Sequence, residues 1–473
     1  MVFSDLFFLY AFLPVCLLLY FCIKDIRWKN GVLIVFSLIF YAWGEPFWII
    51  LLLGSVVVNY FCGLLIERFR DTKYSKAGVI ISLVFSLGAL ALFKYTDFIV
   101  ENLNLILPFD IPAPNIGLPI GISFYTFQII SYILDAYWGK VKVQHSFFRF
   151  LMYVSLFPQL VAGPIVRYGV IENEIDSRTS TSADISEGIT RFIIGLGKKV
   201  ILSNSISSVV LSVFGSASEG YTDISALSVA GTWYGVVLLS LWYYFDFSGY
   251  SDMAIGLGRI FGFHFNENFI YPFVSKNITE FWQRWHISLG SFFRDYLLYV
   301  PIFGKRRQYL NLFLVWFCTG LWHGASWNYI IWGLYFGLFI FIERQIGSKR
   351  MKKAPKVLSH VYSLAVIAVG FGIFHFESLP LLGDFFKSLV GLNGNAFIDL
   401  TIQTAFMNNI FLFIAAVALS IPWLPKVKSF LLTKASGGMV IGMSQAVFNA
   451  VVLVISSIML VGGTNNPFLY FRF

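Results

Sequence analysis

The sequence predicts an all-α, polytopic membrane protein, and three observations carry that prediction. Of its 473 residues, 58% are hydrophobic and only 12% charged, where a soluble domain carries about 25% charged residues. The mean hydropathy is +0.75. Apolar stretches such as "IISLVFSLGALALF" and "VLLSLWYYFDF" lack the strict alternation of barrel strands, which leaves helices as the spanning element. At about 20 residues per crossing, the separable apolar runs predict roughly ten to twelve transmembrane helices, several short or broken, with short re-entrant and interfacial helices beside them.

The first stretch, "MVFSDLFFLYAFLPVCLLLYFCIKD", lacks a basic n-region and a small-residue cleavage site, so it reads as a retained first span. The net charge of +9 fits basic cytosolic loops better than nucleic-acid binding. Those loops are "KDIRWK" (24–29), "ERFRDTKYSK" (67–76), "GKVKVQH" (139–145), "GKRRQ" (304–308), "ERQIGSKRMKKAPK" (343–356) and "PKVK" (425–428). Placing them inside puts the N-terminus and the segments 102–115 and 376–397 outside. No repeat or low-complexity linker divides residues 1–473, which predicts one transmembrane domain. Cys16, Cys22, Cys62 and Cys318 lie in or beside apolar runs with no CxxC pair, and the six histidines form no HExxH. Neither disulfides nor a metal site are expected.

Several spans are interrupted. "PIGISFYTFQIISYILDAYWG" (119–139) starts with Pro119 and Gly121 and carries Gln128 and Asp135; "SLFPQLVAGPIVRY" (155–168) holds Pro158, Gln159, Gly163, Pro164 and Arg167. Non-helical backbone at membrane depth is tolerated only where protein or a water-filled cavity satisfies it, so these breaks point either to a cavity or to packing kinks. In "YYFDFSGYSDMAIGLGRIFGFHF" (243–265), Asp246 and Asp252 lie where a span continues. Either they mark a functional path, or they cap a helix or pair with Arg259 or Arg284 at the interface.

Residues 277–307, "NITEFWQRWHISLGSFFRDYLLYVPIFGKRR", read as one interfacial amphipathic helix. Arg284, Ser288, Ser291 and Asp295 share one stripe, and Trp282, His286, Leu289 and Phe293 another. In "GLWHGASWNYIIWG" (320–333), His323 stands among tryptophans. A helix over 319–333 places Thr319, Gly320, Ser326 and Trp327 on its face, with Gly320 and Gly324 open to a backbone or a thin substrate. Burial without a carboxylate keeps such an imidazole neutral, as a general base requires. Both histidines also admit a plain packing role.

"FWQRWHISLGSFFRDYLLYVPI" followed by "GLWHGASWNYIIWG", with 37 residues from His286 to His323, resembles the membrane-bound O-acyltransferases, in particular the alginate O-acetylation branch. "PIGISFYTFQIISYILDAYWG", "FPQLVAGPIVRY", "DFSGYSDMAIGLGRIFGFHFNENF" and "NNPFLYFRF" resemble further blocks of that branch in the same order. The resemblance implies a ring of helices around a central tunnel, with His323 as the essential histidine and His286 as its companion nearer the donor side. It implies acetyl-CoA as the donor substrate and no bound cofactor. The acceptor it implies is an extracytoplasmic polysaccharide, reached through a separate esterase-like (SGNH) acetyltransferase partner. Trp282, Trp285, Trp322 and Trp327 are expected to line the passage and exclude water, and Arg284, Ser326, Asp246 and Gln128 to contact substrate. The implied location is a bacterial cytoplasmic membrane. A D-alanyl transferase acting on teichoic acid is the related alternative. A transporter predicts two related halves, and the sequence contains no such repeat.

Overall fold

The computed structural model describes residues 1–301, 305, 307–432, 437–462 and 468. These residues are predominantly helical; the one sheet among them is a short antiparallel pairing of Gly215–Ser216 with Gly220–Tyr221. Six of the helices are long and apolar enough to cross a membrane, or seven if the bent pair Leu400–Asn408 and Ile410–Leu419 is one span. Roughly ten to twelve were expected; the other helices are shorter or, like Val229–Ile260 with its 32 residues, less apolar. The chain gathers into two compact units.

Unit 1 comprises Met1–Phe192 and Tyr250–Glu267 among the described residues. Its main helices are α1 (Ile49–Arg68), α2 (Ser75–Asn104) and α3 (Ile122–Tyr137). Asn59 on α1 donates to Ser86 on α2 (3.3 Å), the kind of polar clamp that joins helices lacking a hydrophobic drive to associate. The expected interruptions are present. Gly121 precedes α3 with φ +78°, and a side chain there would press on the Leu160 carbonyl oxygen. Residues 155–168 break into Phe157–Leu160 and a buried non-helical run before Tyr168.

Unit 2 comprises Ile193–Gly249 and the described residues from Asn268 onward. Helix α4 (Ser182–Phe214) enters it from unit 1 and widens to a π-helical turn at Lys198–Ser203. Helix α5 (Val229–Ile260), 32 residues and so about 48 Å long, carries the chain back. Then follow α6 (Ile278–Arg284), α7 (Ile287–Phe293), α8 (Gln308–His323), α9 (Trp327–Ile346), α10 (Lys356–His375) and α11 (Ile441–Gly462).

Two expected helices are broken instead. Residues 277–307 do not form one amphipathic helix: α6 ends at Arg284, Trp285 is extended (φ −105°, ψ 128°), and His286 is left-handed (φ 43°, ψ 54°). The two stripes read from the sequence therefore do not lie along one axis. Residues 319–333 are likewise two pieces, because α8 stops at His323 and Gly324 is extended. Helices α8 and α9 then pack closely. A methyl at Gly320 would meet the Tyr329 carbonyl, and one at Gly333 the Trp316 carbonyl. Those glycines admit the neighbouring helix of the same chain, as small residues do in membrane helix pairs.

Candidate active site

His323, His286 and the side chains around them lie in unit 2. His323 is the last residue of α8 and is 5% exposed. Three rings meet its imidazole nearly edge-to-face: Trp322 at 4.8 Å, Trp332 at 4.7 Å and Phe374 at 5.1 Å between centroids. Ending the helix at His323 turns the chain back through Gly324 to Ser326, so that α9 delivers Trp332 to the same ring. Helix α10, further along the chain, supplies Phe374.

His286, 1% exposed, sits on the turn between α6 and α7. Its Nδ1 lies 3.2 Å from Asn268 Oδ1. Phe247 meets its ring at 4.6 Å and 88°, and Trp322 at 5.7 Å. Trp322 thus touches both imidazoles, and a single indole joins the two histidines that the sequence singles out. That adjacency arises because α6 is held from outside. Asn277 caps it by accepting from Glu280 N–H (2.7 Å). The buried Glu343 of α9 accepts from Ile278 N–H (2.6 Å), Thr279 N–H (2.9 Å), the Thr279 hydroxyl (2.6 Å) and the Tyr362 hydroxyl (3.1 Å).

The remaining expected residues take different places. Trp282 packs on Trp316 (4.9 Å) and Trp332 (5.5 Å). Trp285 lies against Phe371 (5.0 Å) and Phe281 (5.5 Å). The buried indole N–H groups of Trp282 and Trp332 donate to no acceptor within the described chain. Trp327 is 48% exposed at the start of α9, and the Ser326 hydroxyl donates to the Glu377 carbonyl (3.3 Å). Arg284 is held on its own helix by Glu280 (3.0 Å) and also reaches the Ile270 carbonyl (3.2 Å).

The acidic residues found partners other than those anticipated. Asp246 pairs with Lys199 (2.6 Å) and accepts from the Ser203 hydroxyl (3.1 Å); both charged side chains are almost wholly buried. Lys199 lies on the π-helical turn of α4, and its Nζ also stands 4.7 Å from the Phe468 ring centroid. In unit 1, Asp252 pairs with Arg191 (2.6 Å), which also binds Glu267 (2.6 Å). Arg259 binds Asp184 and Glu187. Neither Arg259 nor Arg284 is the partner of Asp246 or Asp252.

Gln128 belongs to unit 1. It is completely buried on α3, and neither end of its amide has a hydrogen-bond partner within the described chain. Apart from Phe468, the terminal segment "NNPFLYFRF" lies outside the described residues. Among the described residues no group of three or more His, Cys, Asp or Glu stands together to hold a metal ion.

Trp332, Phe374, Asn268, Glu343 and Lys199 were not anticipated. Lys199 left a signal, a lysine pair inside the otherwise apolar "FIIGLGKKVILS" (192–203). Trp332 stood in the quoted motif, but a continuous helix through 319–333 directed attention to Trp327.

A multi-pass helical membrane protein with two buried imidazoles sharing one aromatic cluster is the class these features define. Residues 139–383 match the membrane-bound O-acyltransferase family. The chain belongs to that family and is an O-acyltransferase. It is 39% identical over 400 residues to a probable alginate O-acetylase of Pseudomonas aeruginosa, covering 82% of this chain and 75% of that protein. A peptidoglycan O-acetyltransferase of Helicobacter pylori is 33% identical over 450 residues, 87% of this chain and 84% of the relative. A teichoic acid D-alanyltransferase of Bacillus subtilis is 31% identical over 285 residues, 56% and 70% of the two chains.

Proposed function

We propose that the protein moves an acetyl group from cytosolic acetyl-CoA to hydroxyls of an extracytoplasmic polysaccharide of the alginate type. The observation that carries this reading is the pair of imidazoles bridged by Trp322 in a chain 39% identical to a probable alginate O-acetylase. The thioester C–S bond breaks, an ester C–O bond forms, and the proton leaving the acceptor hydroxyl ends on the CoA sulfur. His323 either takes that proton as general base or carries the acetyl group between the two partners. His286 serves the donor end. The rings of Trp282, Trp285, Trp322 and Trp327 exclude water that would otherwise hydrolyse an activated acyl group, and Trp332 joins them. The buried indole N–H groups of Trp282 and Trp332 are donors awaiting a carbonyl, which a substrate in this cluster supplies.

Gln128, buried with an unmatched amide, holds a polar group of a substrate; Ser326 and Arg284 guide substrate at more open positions. Asp246, neutralised by Lys199, supports the polar path rather than reacting. The two units act as one transmembrane domain, since the family match of 139–383 takes in residues of both. That domain forms the family's helical ring and tunnel, with roughly ten to twelve crossings once the broken helices are counted. The location is a bacterial cytoplasmic membrane with the basic loops inside. Hydroxyls of a polymer outside are reached through an esterase-like extracytoplasmic partner.

Sealed inside-out membrane vesicles test this reading. Labelled acetyl-CoA supplied at the cytosolic face is expected to yield labelled polymer or partner protein in the lumen. Label from carrier-bound D-alanine with none from acetyl-CoA would assign the D-alanyl chemistry instead. Movement of unreacted donor, with no ester formed, would mark a transporter.

A further inference from the structure

His286 occupies a backbone conformation that a side-chain-bearing residue rarely adopts, φ +43°. Such residues persist where their surroundings over-determine them, and they cluster at functional sites. One residue supplies the determination. The Ile287 N–H donates to the Asn268 carbonyl oxygen (3.0 Å). The Ser288 N–H (3.1 Å) and hydroxyl (2.9 Å) both donate to Asn268 Oδ1, which also faces His286 Nδ1 at 3.2 Å.

These contacts fix the proton on the ring. A backbone N–H only donates, so the atom receiving the Ser288 N–H is the amide oxygen of Asn268 and not its nitrogen. The Ser288 hydroxyl has one proton, directed at that oxygen, and it presents a lone pair to Nδ1 at 3.4 Å. Asn268 Oδ1 and the Ser288 oxygen then both face Nδ1 as acceptors, so Nδ1 carries the hydrogen. A neutral imidazole protonated at Nδ1 has its lone pair on Nε2. Asn268, Ser288, Phe247, Phe269 and Trp322, the side chains these contacts place around the ring, carry no charge.

We infer that Asn268 is a positioning residue that holds His286 as the Nδ1–H tautomer, so that Nε2 accepts a hydrogen bond from an amide N–H of the thioester donor's arm. This rests on the proposed function in taking His286 as part of the site. It selects between two roles open to a donor-side histidine, because a neutral ring locked this way cannot donate from Nε2 to polarise the thioester carbonyl. Burial in the same direction pushes the His286 imidazole down to about 3, which keeps it neutral through the physiological range.

Two measurements on the full-length protein in lipid nanodiscs test the inference. In ¹⁵N-histidine-labelled wild type, the resonance that disappears in His286→Gln is expected to show a protonated Nδ1; an Nε2–H tautomer would overturn the inference. Asn268→Asp keeps an oxygen facing Ser288 N–H and Nδ1–H but adds a negative charge that stabilises the imidazolium. The ¹⁵N titration of the His286 ring in this variant is therefore expected to move upward by about one pH unit or more. A titration superimposable on wild type would overturn the inference. Asn268→Ala is expected to raise KM for acetyl-CoA about tenfold with a smaller change in kcat. His286→Ala with undiminished acetyl transfer would instead remove His286 from the site, a failure of the proposed function distinct from failure of the tautomer assignment.

Discussion

The two histidines sit one indole apart in contrasting surroundings. Three rings, brought by α8, α9 and α10, define the slot around His323, and glycines at the α8–α9 crossing let those rings converge. Around His286 the determining contacts are hydrogen bonds: Asn268 to the turn itself, and Glu343 to the start of the helix before it. Ring packing shapes the slot of one imidazole, and a directional polar network surrounds the other. The rings around His323 exclude water, as the proposed proton or acyl transfer there requires. Hydrogen bonding fixes which nitrogen of His286 bears hydrogen, which suits a group that binds without changing.

This contrast is breakable by substitutions that change volume or polarity alone. Glu343→Ala removes a buried carboxylate that accepts four hydrogen bonds and leaves two N–H groups of α6 unmatched. A loss of about 3 kcal/mol or more is expected, read as a lowered melting temperature in detergent together with a raised KM for donor. Gly333→Ala adds one methyl against the Trp316 carbonyl and should cost about 1–3 kcal/mol while lowering acetyl transfer through displacement of Trp332. Trp332→Phe keeps a ring beside His323 and removes only the indole N–H and some volume. Its melting temperature should fall by the equivalent of about 1 kcal/mol or less, with a several-fold rise in donor KM measured in the same preparation. If Gly333→Ala were tolerated while Trp332→Phe unfolded the protein, the shape-held description of the His323 region would be wrong.

What the sequence disclosed follows the same divide. Composition determined the helical membrane class, Pro119, Gly121, Pro158 and Gly163 marked real interruptions, and the motif around His323 pointed to the aromatic cluster. The breaks after Arg284 and His323 were not legible. "FWQRWHIS" contains no proline or glycine, and its helix ends where Asn268, 18 residues earlier in the chain, binds the turn that follows. At Gly324 a lone glycine in an apolar run is compatible with a continuous helix, and only the close packing of α9 on α8 shows otherwise. The partners of Asp246 and Asp252 lie 47 and 61 residues away, on a helix whose lysines and arginine are isolated within apolar sequence. Local patterns report periodicity; pairings of this range report tertiary structure.

The assignment of chemistry to the shape-held imidazole is tested most directly by His323→Ala in purified protein reconstituted into liposomes, with labelled acetyl-CoA on one side and acceptor polymer plus partner on the other. Acetyl transfer is expected to fall at least about 10³-fold while donor binding and melting temperature stay close to wild type. Transfer at the wild-type rate by folded His323→Ala protein would contradict the account.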